Sequence, residues 1–156
     1  EVEGQGVFWR DGLYNTAREY HIEYTYADGV KLLVDSGEPS LRFEGSDGWI
    51  GNSGWRAPLQ AEPASILKSV IGPDEVHLFT CPQGEQRNFL DCVKSRRECY
   101  FPPEIGQRCF TIAHIGNIAM RTGKKLKWDP QAERFTNSDE ANRMLGRTMR
   151  SPWNLL

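Results

Sequence analysis

Four side chains able to orient a ligand or partner, Arg108, His114, Asn117 and Arg121, are expected on one polar stripe of the helix PEIGQRCFTIAHIGNIAMRTG that runs from Pro103 to Gly123. His114, Asn117 and Arg121 are spaced at three and four residues, which places an imidazole, a carboxamide and a guanidinium on one stripe of a helix. Such a set offers hydrogen bonds to a single ligand or partner. His114 has two readings: a half-buried histidine satisfied by a neighbour, or a pocket or interface residue. Arg121 taken alone would favourably end a helix.

Other groupings carry less chemistry. Glu19, His21 and Glu23 alternate along a strand and could pair carboxylates for acid and base work, yet alternating charge also marks a solvated face. LysLysLeuLysTrp at 124–128 mixes basic residues with an aromatic, but no wider basic face supports a nucleic-acid contact, so it reads as a solvated strand with a packed Trp. No G-x-G-x-x-G opens a helix after a strand, and neither a G-x-x-x-x-G-K-[ST] loop nor a G-x-S-x-G elbow is present. Cys81, Cys92, Cys99 and Cys109 form no C-x-x-C pair and have no His at zinc-finger spacing, which argues against a metal site. Cys92 and Cys109 fall in helical apolar patterns, where Cys serves as a small hydrophobe, so free thiols are expected rather than a disulfide framework.

The helix that would present the polar stripe is well marked. Pro103 suits a first helical position, Glu104 complements the positive end, and Gly123 followed by Lys124 and Lys125 is a stop signal. Ile105, Cys109, Ile112, Gly116, Ala119 and Met120 recur at steps that give it an apolar stripe. Upstream, turn dipeptides punctuate aromatic and β-branched runs and predict an antiparallel meander at 18–26, 30–35, 41–45 and 48–52, with a further strand near 55–60. With Asp28 and Gly29 as the two turn residues, Tyr24 would pair with Leu33, Thr25 with Leu32 and Ala27 with Val30. Both faces of that sheet are then partly apolar. Helices would cover one side, and something outside the chain the other.

Residues 63–70 read as a short helix, ValHisLeuPhe at 76–79 as a short strand, and Arg87–Arg97 as a helix carrying Phe89, Leu90 and Val93. LysLeuLysTrpAspPro at 125–130 is extended, and Asn137 with Glu140 resembles a capping box opening a helix that runs to about Leu145. The opening residues Glu1 to Gly6 carry no element-starting pattern, and ArgSerProTrpAsnLeuLeu at the end reads as an arm that docks Trp153 and leucines on a surface. The fold class is therefore α+β: an antiparallel or mixed open sheet with helices packed on one face and the other face left open. In domain terms a single unit is expected over 1–156, a processed chain or a piece of a longer one, with the sheet at about 18–60, helices at about 63–146 and the arm at 147–156.

At 156 residues and a net charge of −2, with both signs interspersed, the chain can bury a core and generates no field that would draw nucleic acid or an anionic membrane. No apolar run approaches a membrane span, and no signal-peptide pattern opens the chain. The free-thiol reading points toward a cytoplasmic setting, with an export signal upstream of Glu1 left open.

Three stretches together resemble the bacterial-type C-terminal domain of the Gfo/Idh/MocA family of NAD(P)-dependent oxidoreductases. They are ArgAsnPheLeuAspCysValLysSerArg at 87–96, ProGluIleGly at 103–106 running into HisIleGlyAsnIleAlaMetArgThrGlyLysLysLeuLysTrpAspPro at 114–130, and AspGluAlaAsnArgMetLeu with ArgSerProTrp at 139–153. TyrThrTyrAlaAspGlyVal and ArgPheGluGlySerAspGlyTrpIle upstream look like the family's sheet. One departure is Gln86, where relatives often carry His. The resemblance implies an enzyme whose N-terminal Rossmann domain binds NAD or NADP and supplies the catalytic Lys, while the C-terminal domain shapes the site for a sugar, polyol or related substrate and often builds a homo-oligomer through its sheet. His114, Asn117 and Arg121 match the family's HisxGlyAsnxAlaxArg helix, which implies a supporting role near the domain junction, with Arg108 a further candidate. No catalytic or cofactor-binding residue is expected in this chain, which alone should not turn over. An alternative reading is a free-standing binding or scaffold module that kept this domain, and a weaker one is a hydrolase or lyase on the same scaffold.

Overall fold

The computed structural model describes residues 1–77 and 81–153. The chain divides into two compact units, one built from Glu1–Ser36 together with Pro103–Leu156 and the other from Gly37–Pro102. Small antiparallel sheets with helices make it an α+β chain, as expected.

The first unit rests on a three-stranded antiparallel sheet of β1 (Val2–Phe8), β2 (Ala17–Thr25) and β3 (Lys31–Asp35), in that order. Its inward face carries Val2, Ile22 and Tyr24, with Leu32 and Val34 across from them. The outward face pairs Glu23 with Leu33 and His21 with Asp35. It is a wet face in which Lys31 holds Glu23 at 2.6 Å and keeps that carboxyl below its usual range. The carboxylates of this strand are thus tied to a cation and are not paired with one another.

Two expectations change here. The opening residues 1–6, expected to carry no element start, lie almost wholly within strand β1 (Val2–Phe8). The β2–β3 register is also one residue off the expected one, because Tyr24 pairs with Leu32 and Thr25 with Lys31. The loop has three residues rather than two: Tyr26 N–H donates to Val30 O at 2.9 Å, and Gly29 takes a positive φ of 88°. A turn closed by a left-handed glycine is the ordinary solution for that loop length. Asp28 stabilises it by accepting from Val30 N–H.

In the second unit, β4 (Leu41–Gly45), β5 (Gly48–Asn52) and β6 (Gln60–Glu62) form a separate three-stranded antiparallel sheet. The expected run of strands is therefore divided between two sheets, and its last strand begins later than 55. A 3₁₀ turn over Ala64–Lys68 stands where a short helix was expected. α1 (Glu85–Ser95) ends on Arg96 in the left-handed conformation and buries Cys92. Its Phe89, Leu90 and Val93 are exposed rather than packed. Val76 and His77 are in no strand, and the rest of the expected ValHisLeuPhe strand lies outside the described residues.

α2 (Pro103–Thr122) has the predicted limits, with Gly123 at φ 62° ending it. Only its second half is buried, through Ile115, Gly116, Ile118 and Ala119. Ile105 and Cys109, expected on the apolar stripe, are exposed because the sheet lies under the later turns alone. β7 (Trp128–Asp129) and β8 (Arg134–Phe135) form a hairpin whose Phe135 is fully buried and meets the Trp128 ring edge-on at 5.1 Å between centroids. α3 (Asp139–Arg143) follows, capped by Ser138, whose hydroxyl accepts from Ala141 N–H. The expected cap, Asn137, instead bridges Lys127 N–H and Lys125 O. Trp153 is 72% exposed and does not dock, while the terminal leucines lie outside the described residues.

Candidate functional site

Gly116 sets the distance between α2 and the sheet. A Cβ there would overlap the Tyr24 hydroxyl, so only glycine lets the helix lie this close to β2. Tyr24 uses that closeness to donate its hydroxyl to Ile112 O at 2.8 Å. Burial pushes its pKa up to about 12, since an ionised phenolate among Ile22, Ile115 and Ile118 would be poorly solvated.

This packing leaves the polar stripe of α2 beside the buried one. His114 Nε2 faces Met144 O at 3.3 Å, just beyond α3. Asn117 Oδ1 accepts from Arg121 Nε at 3.2 Å. Arg121 also donates to Asn15 O at 2.7 Å and lies over the Phe8 ring at 4.9 Å. The guanidinium thus ties α2 to the segment between β1 and β2, while Asn117 orients it. His114 and Arg121 remain exposed, on one flank of the helix, each holding a different neighbouring segment.

Arg108 belongs elsewhere. It donates to Glu104 one turn back, at 3.0 and 2.6 Å, and lines a cleft of about 540 Å³ in the first unit. One wall of the cleft is the row Gln107, Thr111 and Ile115 of α2, with Ile112 beside it. The end of β2 and its turn, from Tyr24 to Ala27, forms a second wall. The β7–β8 hairpin supplies Trp128, Pro130 and Glu133 as a third. Gln107 Nε2 donates to Glu133 Oε1 at 2.6 Å, closing one side of the cleft. That hairpin is braced by Asp129, whose carboxyl accepts from the backbone N–H groups of Ala132 and Gln131 and is held below its usual range by them.

The structure therefore brings His114, Asn117 and Arg121 to one flank and separates Arg108 from them. Sequence reasoning missed Tyr24, Gln107, Thr111, Trp128 and Glu133 as cleft residues. The i, i+4 row Gln107–Thr111–Ile115 was visible in the helix, but nothing in the sequence placed the hairpin against it.

A nicotinamide dinucleotide is held by a glycine-rich turn leading from a strand into a helix within a parallel βαβ unit. Every strand pair among the described residues is antiparallel, and α2 begins at Pro103 after Pro102. These residues do not fit that cofactor. Among the described residues no group of three or more His, Cys, Asp or Glu side chains converges as a metal site would, and no helix is long and apolar enough to cross a membrane.

No curated protein and no solved structure matches the chain. The family model described as oxidoreductase family, C-terminal alpha/beta domain, matches residues 14–155. That match spans β2 to β8 and α1 to α3, including the HisxGlyAsnxAlaxArg stretch of α2. The chain belongs to the Gfo/Idh/MocA oxidoreductase family and is its C-terminal alpha/beta domain.

Proposed function

We propose that this domain is the substrate-side and oligomer-forming half of an NAD(P)-dependent oxidoreductase acting on a sugar, polyol or related hydroxy compound. The family match over residues 14–155 is the observation that carries the reading. The nicotinamide cofactor and the catalytic proton-transfer group then come from a Rossmann domain, because proton transfer needs hydrogen-bond reach to the substrate and this chain offers no dinucleotide cradle among its described residues. His114, Asn117 and Arg121 serve the junction with that domain. Their support is geometric: they share a flank of α2, and His114 and Arg121 are exposed there. Arg108 is a substrate-side candidate through the cleft that it lines.

An oligomer formed through the second sheet draws support from β4, where Leu41 and Phe43 are 57% and 63% exposed. Exposed apolar side chains grouped on one strand are ordinarily covered by a partner. The test of the division of labour is a calorimetric titration of NADH and of NADPH into the 156-residue chain. No saturable heat is expected for either. Micromolar, saturable binding by this chain would overturn the assignment of the cofactor to a separate domain.

A further inference from the structure

The chain leaving α1 folds back on the helix and brings two thiols together. Arg96 takes the left-handed conformation at φ 60°, and its N–H donates to Cys92 O at 2.8 Å, so the chain reverses there. The next residues then run back along the helix. Cys92 Sγ donates to Glu98 O at 3.4 Å, and Tyr100 N–H donates to Asn88 Oδ1, one helical turn earlier, at 3.1 Å. Cys99 lies between those two anchors, and its side chain meets the Cys92 thiol.

The two sulfurs differ in access. Cys92 is 9% exposed, while Cys99 is half-buried and open on one side to a small reagent. Burial first, and then the contact with Cys99, pushes the Cys92 thiol pKa up, which keeps it protonated at neutral pH and a poor nucleophile toward reagents in solution. One reachable thiol backed by a buried one is the arrangement of an attacking and a resolving cysteine. Cys81 stands before the start of α1, and Cys109 belongs to the first unit.

We propose that Cys92 and Cys99 form a reversible disulfide by exchange with a low-molecular-weight disulfide of the glutathione class, which makes the end of α1 a redox-modification site. Cys99, as its thiolate, attacks one sulfur of the reagent, forms a mixed disulfide and expels one thiolate, which takes up the proton that Cys99 gave away. Cys92 then loses its proton, attacks Cys99 Sγ and expels the second reagent thiolate, which is protonated in turn. Two protein thiols are oxidised and one reagent disulfide is reduced to two thiols. The bond pins residues 96–100 to α1, shortly before the second unit ends at Pro102. The inference rests on geometry within the second unit and is independent of the reaction proposed above.

The test is oxidation of the reduced chain by glutathione disulfide at neutral pH, with timed quenching, trypsin digestion and mass spectrometry. Lys94, Arg96 and Arg97 separate the two cysteines, while Arg87 and Arg108 separate them from Cys81 and Cys109, so each cysteine falls in its own peptide. Peptide 88–94 should become joined to peptide 98–108, at least about tenfold faster than any link to Cys81 or Cys109 forms. In guanidinium chloride that preference should shrink to about twofold over the next shortest links, which is what loop length alone gives. Cys92→Ala should accumulate the mixed disulfide of Cys99 with glutathione, and Cys99→Ser should leave Cys92 unmodified over the same time. The two variants act on opposite partners, which keeps the test decisive if one of them folds poorly. A native chain that stays reduced, stops at the mixed disulfide, links either cysteine first to Cys81 or Cys109, or shows the same preference in denaturant would overturn the proposal.

Discussion

Tyr24 is the residue on which the packing of the first unit turns. Its phenol is buried and its pKa stands at about 12 against an ordinary value near 10. A proton bound more tightly in the folded state stabilises the fold fully below the unfolded pKa and ceases to do so as pH rises through the folded one. Stability should therefore fall between about pH 10 and pH 12, by no more than about 2–3 kcal/mol from this group. Tyr24→Phe should cost about 1 kcal/mol at neutral pH through the lost bond to Ile112 O, and should flatten that alkaline fall. Denaturant unfolding of both proteins at neutral and alkaline pH checks this; a Phe variant with an unchanged alkaline slope would contradict it. His114 calls for a different experiment. Its contact with Met144 O is long, at 3.3 Å, so His114→Ala should lower the melting temperature of the assembled oxidoreductase by only about 2–4 °C. If His114 serves the domain junction, activity or assembly should fall about tenfold or more. A loss of melting temperature alone would make it a structural residue.

At the scale of elements, the close approach of α2 to the sheet is the defining contact. Gly116→Ala gains about 1 kcal/mol of helix propensity but places a methyl against the Tyr24 hydroxyl, so a net loss of about 2 kcal/mol is expected. Because the obstructing atom is the hydroxyl, the double variant with Tyr24→Phe should be more stable than the two single losses added, by at least about 1 kcal/mol. Strict additivity in a double-mutant cycle would rule that out. The same closeness explains what the sequence concealed. β1 turns Val2, Gly4 and Gly6 toward the helix, and a Cβ at Gly4 or Gly6 would come within 3.1 or 3.0 Å of Met120. Glycines that admit a helix also erase the apolar alternation by which a strand is recognised. The limits of α2 were legible because Pro103 and Gly123 act locally. Which of its turns are buried was not, because that depends on where the sheet ends beneath it. The cap of α3 shows the same limit: Asn137 and Ser138 are both good caps, and the backbone of 125–127 decides between them by taking Asn137.

At the scale of the molecule, the family was legible from motifs that the fold distributes over two units. The polar stripe HisxGlyAsnxAlaxArg lies on α2 of the first unit, while ArgAsnPheLeuAspCys lies on α1 of the second. The expected single meander did not survive, since hairpin signals specify which strands are neighbours in sequence but not where one sheet stops and the next begins. The site was legible only in part: the stripe was found, and Arg108 was set apart from it by the geometry of the cleft. The second unit buries few apolar side chains among its described residues and leaves Phe43, Phe89 and Leu90 exposed. In the proposed enzyme such surfaces are covered by the Rossmann domain or by another copy of the chain. The measurement that tests this account most directly is the intact mass of the native polypeptide that contains these 156 residues, by top-down mass spectrometry. A mass greater by the roughly 100–200 residues of a further domain is the predicted result. A native polypeptide no longer than this chain would contradict the account of it as one half of a two-domain oxidoreductase.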